Sequence, residues 1–146
     1  MKAWKQPVSV LVVIHTPTLD VLMLERAAHP GLWQSVTGSG EGDESLAETA
    51  NREVEEETGI APGTGLLTDW KISNRYEIFP TWRHRYAPGV TENTEHVFGL
   101  CVPEHTAVQI APEEHRAWCW LPWAEAAKRC FSWSNRDAIQ LLAKTR

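Results

Sequence analysis

Residues 8–15 read VSVLVVIH, an apolar and β-branched run that predicts a buried strand. Turn chemistry over 16–20 separates it from a second strand predicted at 21–25. His29, Pro30 and Gly31 break the pattern before a short strand at 33–36. Past Ser45 the period becomes helical. Leu46, Ala47, Ala50 and Val54 fall on one stripe, read as the face on the core, while Glu48 and Glu55 point to water. Residues 61–65 then form a loop, and 66–73 with 75–79 predict two strands, or one strand with a break. Pro88 and Gly89 mark a turn, 94–102 a central strand and 117–121 another. Pro122 opens a short helix running through Cys130, and 134–144 predict a last helix. No repeat, low-complexity tract or linker interrupts this order. Strands flanking one helix, with further helices near the end, predict an α/β fold in which a mixed sheet packs between helices, as one domain over 1–146.

The helix carries a second pattern. The segment 38–60 reads GSGEGDESLAETANREVEEETGI. An α-helix turns about 100° per residue, so Glu53, Glu56 and Glu57 share one face beside the apolar stripe. Three carboxylates so placed repel each other, and a hard divalent cation between them relieves that repulsion. Arg52 lies four residues before Glu56, within pairing distance. Asp43, Glu44 and Ser45 place acids and a capping hydroxyl at the helix start, and Gly59 supplies its stop.

Composition leaves this picture intact and closes off others. A chain of 146 residues, 42% hydrophobic, has enough apolar side chain for a real core. Its net charge of −5 argues against a general nucleic-acid binder, though not against a phosphate-rich ligand held through bound cations. Cys101, Cys119 and Cys130 are an odd set without C-x2-C spacing, so neither a disulfide framework nor a zinc site is expected. The apolar run at 8–14 is too short to span a bilayer, and no signal-peptide order opens the chain, which predicts a cytoplasmic protein with no membrane partner. Most of the eight tryptophans are expected in the core.

Gly38, Glu44, Arg52, Glu53, Val54, Glu56, Glu57, Gly59 and Ile60 fill every fixed position of the pattern G-x5-E-x7-R-E-U-x-E-E-x-G-U, with U a bulky aliphatic. This box resembles that of the Nudix hydrolases, which cleave a diphosphate linked to another moiety. The resemblance implies a Nudix-type α/β/α sandwich with a mixed β-sheet, and a Mg²⁺ site that Mn²⁺ also fills. The stretches KQPVSVLVVI (5–14), VLMLER (21–26), WQSVTGS (33–39), WRHRYAPGVTENTE (82–95) and SWSNRDAI (132–139) are similar to a bacterial group of that family acting on dihydroneopterin triphosphate. They imply Mg-dependent hydrolysis of that substrate to dihydroneopterin monophosphate and diphosphate, a folate-pathway step. The alternatives are a (deoxy)nucleoside triphosphate diphosphatase acting on dATP, an oxidised dNTP or RNA 5′-triphosphate ends, and a non-catalytic binding module of the same fold. The small-molecule triphosphate is the expected partner of a monomer or homodimer.

The candidate catalytic residues are Arg52, Glu53, Glu56 and Glu57. Glu53 and Glu57 are the expected metal ligands, with Glu56 as ligand or general base. The resemblance adds Glu114 as a further metal-binding acid and alternative base, with Glu113 adjacent to it. Glu44 is expected to be structural, and Glu41 reaches toward a second metal. Lys5, Arg26, Arg83 and Arg85 are candidate phosphate cations, with His84 beside them, and the resemblance favours Lys5 with Arg26. Thr37 and Gly38 offer backbone groups to substrate. By resemblance, Tyr76, Glu77, Ile78, Phe79 and Ser132 line the pocket for the ring.

Overall fold

The computed structural model describes residues 4–144. Seven strands form one mixed sheet: β1 (Val8–His15), β2 (Asp20–Arg26), β3 (Trp33–Gln34), β4 (Val36–Ser39), β5 (Leu66–Glu77), β6 (Glu92–Cys101) and β7 (His115–Pro122). Three helices, α1 (Leu46–Thr58), α2 (Trp123–Arg129) and α3 (Trp133–Lys144), cover its two faces. β1 is the hub. It pairs parallel with β6 from Val8↔Thr94 to His15↔Cys101, and antiparallel with β4 from Ser9↔Ser39 to Val12↔Val36. β5 completes that side against β6, while β2 carries β3 and β7.

The unbroken apolar run of β1 follows from having helices on both faces. Val10, Val12 and Ile14 pack with Ala50 and Val54 of α1. Leu11 and Val13 point the other way, onto Ala126 and Ala127 of α2 and Ala138, Ile139 and Leu142 of α3. This is the expected α/β/α arrangement.

Several boundaries differ from the sequence pattern, each for a local reason. The strand expected at 33–36 divides at Ser35, because Trp33–Gln34 pairs with β2 whereas Val36–Ser39 pairs with β1. Asn135 of α3 fills the gap: its Oδ1 accepts from Ser35 N–H at 2.8 Å and its Nδ2 donates to Ser35 Oγ at 3.0 Å. Residues 66–77 form one strand with an irregularity between Asp69 and Ile72, where Lys71 adopts φ 58°. Phe79 lies beyond it, at the start of a 3-10 turn over Pro80–Arg85. Ala47 is exposed, off the stripe held by Leu46, Ala50 and Val54, because it sits in the first turn on the solvent side. None of the eight tryptophans is fully buried; Trp33, Trp70, Trp120 and Trp123 pack at the margins of the two cores, and Trp4, Trp118 and Trp133 are exposed. Large rings with a polar N–H settle at such margins.

Candidate active site

α1 is fixed at both ends by the residues that its sequence places there. Ser45 Oγ accepts from Glu48 N–H at 3.1 Å and Glu48 Oε1 accepts from Ser45 N–H at 2.8 Å, a capping box. Gly59 closes the helix in the left-handed region at φ 75°, its N–H reaching Glu55 O at 2.9 Å. The acidic face is thereby set against β4.

Arg52 organises that face. Its Nε donates to Glu44 Oε2 at 2.7 Å, its Nη1 to Glu53 Oε1 at 2.7 Å, and its Nη2 to Ser39 O at 2.8 Å. The expected contact with Glu56 is present but longer, at 3.3 Å, and Glu41 stands at 3.7 Å. Arg52 thus ties the 39–44 loop to the helix. The Glu44 carboxyl, hydrogen-bonded to this guanidinium, is held down at about 2. Glu44 also accepts from Glu41 N–H and Thr49 Oγ1, which is the structural role expected of it.

Glu53 lies against Gly38 of β4. A Cβ at Gly38 would overlap the Glu53 carboxylate, so only glycine lets strand and carboxylate approach this closely. Glu57 is deeper, 2% exposed, and its Oε1 has no hydrogen-bond partner. Glu56 sits outward, its side chain 56% exposed. Burial pushes the Glu53 carboxyl up to about 7, against the pull of its hydrogen bond with Glu57 and of Arg52. Burial, then the charges of Glu53 and Glu114, drive Glu57 well above the usual carboxylate range.

The start of β7 meets this face. Glu57, Glu114 and His115 bring potential ligand atoms within 4.8 Å of one another. His115 was not singled out by the sequence pattern, which started the strand at 117. A bulge explains its position. Glu25 pairs with Ala117 but Arg26 with His115, so Arg116 is an extra residue. Cys119 and Leu121 pack toward α2 and α3, whereas the bulge turns His115 to the α1 side, with Nε2 3.7 Å from Glu57 Oε1. Burial, reinforced by Arg26, lowers the His115 imidazole to about 4, so it is neutral at pH 7, and its Nδ1 is unpartnered.

Cations stand at the rim. Lys5 is anchored by its N–H to Arg85 O at 2.9 Å, and its ammonium lies 5.9 Å from the Tyr86 ring centre. Loss of water around it, and then Arg85, hold it below the usual lysine range; Glu53, Arg26 and Glu114 are also close enough to act on it. The Arg26 guanidinium sits 5.8 Å from the Trp82 ring and 5.7 Å from the Phe131 ring, and among the described residues no carboxylate forms an ion pair with it. These two rings also escaped the sequence reading, since neither lies near Arg26 in the chain. Arg83 is otherwise engaged, donating to Ile78 O at 2.9 Å and to Glu77 Oε2 at 3.5 Å. His84 and Arg85 are exposed, as is Glu113.

The fold therefore gathers Glu53, Glu57, Glu114, Lys5 and Arg26 at one end of the sheet, with Gly38 beneath Glu53 and Arg52 and Glu56 beside them. Thr37, one residue from Gly38, faces the opposite side, and its hydroxyl donates to Val10 O at 3.1 Å. The other expected pocket residues are dispersed. Tyr76 is on the α3 side of β5, bonded to Asn93. Glu77 is exposed, Ile78 is buried, and Phe79 is exposed and packs edge-on against Trp82 at 5.3 Å. Ser132 Oγ accepts from Asn135 N–H at 3.2 Å at the start of α3.

This donor set fits a hard divalent cation. Carboxylate oxygens predominate, and the buried, unpartnered Oε1 of Glu57 is the observation that calls for a ligand. Cation binding uses the charged carboxylates, so it must expel any proton that burial holds on Glu53 or Glu57, and affinity should rise with pH through about 7. Titration calorimetry with Mg²⁺ at pH 7 in buffers of different ionisation heat should register proton release, and a release of zero would remove Glu53 and Glu57 from the binding site. Stability of the cation-free protein runs the other way. A carboxyl raised from 4.5 to about 7 on folding makes the native state lose stability as pH climbs through that interval.

Comparison with known proteins agrees with this geometry. A NUDIX domain model matches residues 5–142. The dihydroneopterin triphosphate diphosphatase of Escherichia coli (strain K12) is 49% identical over 142 residues, covering 95% of this chain and 93% of that protein. The Haemophilus influenzae protein of the same name is 41% identical over 143 residues, covering 96% and 89%. The solved structure of the E. coli dihydroneopterin triphosphate pyrophosphohydrolase superposes with a TM-score of 0.88 at 44% identity, over 99% of this chain and 100% of that one. The NUDIX domain of Shewanella oneidensis NrtR, solved with ADP ribose, shares the fold at a TM-score of 0.72 and 21% identity, over 99% of this chain and 90% of that one. With the family model spanning nearly all of its length and the acidic helix complete, the chain belongs to the NUDIX domain family of hydrolases.

Proposed function

We propose that this protein hydrolyses dihydroneopterin triphosphate to dihydroneopterin monophosphate and diphosphate, using Mg²⁺, as a single domain over 1–146 in the cytoplasm. The observation that carries this reading is the identity to enzymes of that name along nearly the whole chain, including the segments outside the acidic helix. Glu53, Glu57 and Glu114 hold the cation, which supplies charge neutralisation for the triphosphate and a lowered pKa for water. Lys5 and Arg26 bind phosphate oxygens, Lys5 as a point charge and Arg26 through a guanidinium lying over the Trp82 and Phe131 rings. Arg52 orients Glu53 and keeps the 39–44 loop on the helix. Water attacks phosphorus in line as the bond to the departing diphosphate breaks, and its proton passes to Glu56, the exposed carboxylate beside the buried pair. No covalent intermediate on the protein is required. No helix among the described residues is long and apolar enough to cross a membrane.

A substrate panel tests the proposal. Purified protein with Mg²⁺ should show kcat/KM at least roughly tenfold higher for dihydroneopterin triphosphate than for dATP, an oxidised dNTP or triphosphate-ended RNA, with diphosphate as the product. Orthophosphate as the product, or a nucleotide preferred over the pterin, would overturn it.

A further inference from the structure

Strand β6 changes character along one face. Phe98 and Leu100 pack beneath α1, and Val97 packs on the opposite side beneath α2 and α3. Stepping back by two from Val97 places Glu95 and Asn93 on that same α3 side, where polar residues replace apolar ones. The sheet register gathers more of them. Ser9 pairs with Glu95, Asn74 with Glu95, and Tyr76 with Asn93. Ser134 joins from the first turn of α3.

Both central residues are buried, Asn93 at 4% and Glu95 at 5% exposure. The Asn93 amide donates to Ser9 Oγ at 2.8 Å and to Tyr76 Oη at 3.0 Å. The Glu95 carboxyl is hydrogen-bonded by Ser134 and Asn74, while burial holds its pKa up. These bonds leave Asn93 Oδ1 and Glu95 Oε1 with no partner. A buried acceptor without a donor destabilises the fold, and more so when charged. Two such acceptors, two residues apart on one strand face, form an acceptor-rich floor that lacks its donors.

The floor adjoins the phosphate cleft. Ser9 also pairs with Ser39, the residue after Gly38, on which Glu53 rests. A ligand bent around this end of the sheet would have phosphates on the α1 side and a ring on the α3 side. We infer that Glu95 and Asn93 recognise that ring through a 2-amino-4-oxopyrimidine edge, whose neighbouring ring N–H and exocyclic amine supply donors to both oxygens. The inference rests on the pterin triphosphate reading above. An adenine edge sets an acceptor nitrogen beside its amine, and that nitrogen would oppose the carboxylate. To admit the ring, the bordering Tyr76, Asn74 and Ser134 side chains must part.

The test is Glu95→Gln in the full chain, assayed with Mg²⁺ on dihydroneopterin triphosphate, dATP and inorganic tripolyphosphate. A pocket built around hydrogen bonds discriminates strongly when one is lost. The variant should lose at least roughly thirtyfold in kcat/KM on the pterin, mainly through KM, while tripolyphosphate stays within about twofold of wild type and dATP is unchanged or improved. Equal loss on all three substrates would mark Glu95 as structural and overturn the inference. So would an unchanged preference for the pterin, which leaves the proposed activity standing. A wild-type protein that fails to hydrolyse the pterin substrate removes the activity and the inference together. If thermal melting shows that Glu95→Gln is unfolded, Asn93→Ser read by the same substrate ratios decides the matter.

Discussion

Glu57→Gln is expected to abolish cation-dependent turnover, by on the order of 10³-fold, while making the cation-free protein more stable. Both effects come from one fact. Glu57 is almost wholly buried, with Glu53, Glu56 and Glu114 near enough to repel its charge and one oxygen left without a donor. Until a dication arrives, the wild-type protein must either bear that charge or hold a proton on it, and both cost stability above pH 4.5. Gln fills the same volume, loses the repulsion and loses the ligand. The sign with pH is definite. Glu57 has a raised folded pKa, so it weakens the native state only where the unfolded carboxyl is ionised, above 4.5. The gain in melting temperature should therefore be absent below pH 4.5 and grow as pH rises. Adding Mg²⁺ should reverse the order, raising the melting point of wild type and not of the variant. A variant that melts with wild type at pH 8 without cation, or that still turns over substrate, would refute this account of Glu57.

Gly38→Ala should damage activity nearly as much, by roughly 10²-fold or more, through a single methyl group. Gly38 does not have positive φ, so alanine is compatible with the backbone of β4. The obstruction lies ahead of it: the added Cβ occupies the place of the Glu53 carboxylate. Glu53 must swing away, taking with it the Arg52 contact at 2.7 Å. The strand itself has no reason to unfold. The Mg²⁺ concentration for half-maximal rate should rise along with the loss in kcat. A double-mutant cycle isolates the cause, since Gly38→Ala should add little further loss to Glu53→Ala. Independent, additive losses would mean that the methyl acts elsewhere.

The sequence made the helix and its acidic ridge readable because period, cap and spacing are all local properties. Ser45, Glu48 and Gly59 act on the residues beside them in the chain, so their roles could be read directly. The run over 8–15 likewise announced a strand covered on both sides. What stayed hidden depends on residues distant in sequence. Asn135 splits the strand at Ser35 from one hundred positions away. The bulge at Arg116 decides which face His115 presents, and a bulge has no composition of its own. Arg26 finds Trp82 and Phe131 only because the 3-10 turn and the loop before α3 converge on it. The contact foreseen between Arg52 and Glu56 exists, yet Glu44, eight residues back, makes the shorter one. Helical spacing favours neighbours on the helix and is blind to a loop that folds back over it.

The parallel ladder between β1 and β6 also sets an order of events during synthesis. Val8 cannot meet Thr94, nor His15 meet Cys101, until the intervening chain has emerged from the ribosome. At about 5–20 residues per second, the most apolar stretch of the protein waits several seconds for its neighbour. Such non-local pairing also makes for slow folding. During that interval an extended, apolar segment is open to wrong pairing with any other nascent chain.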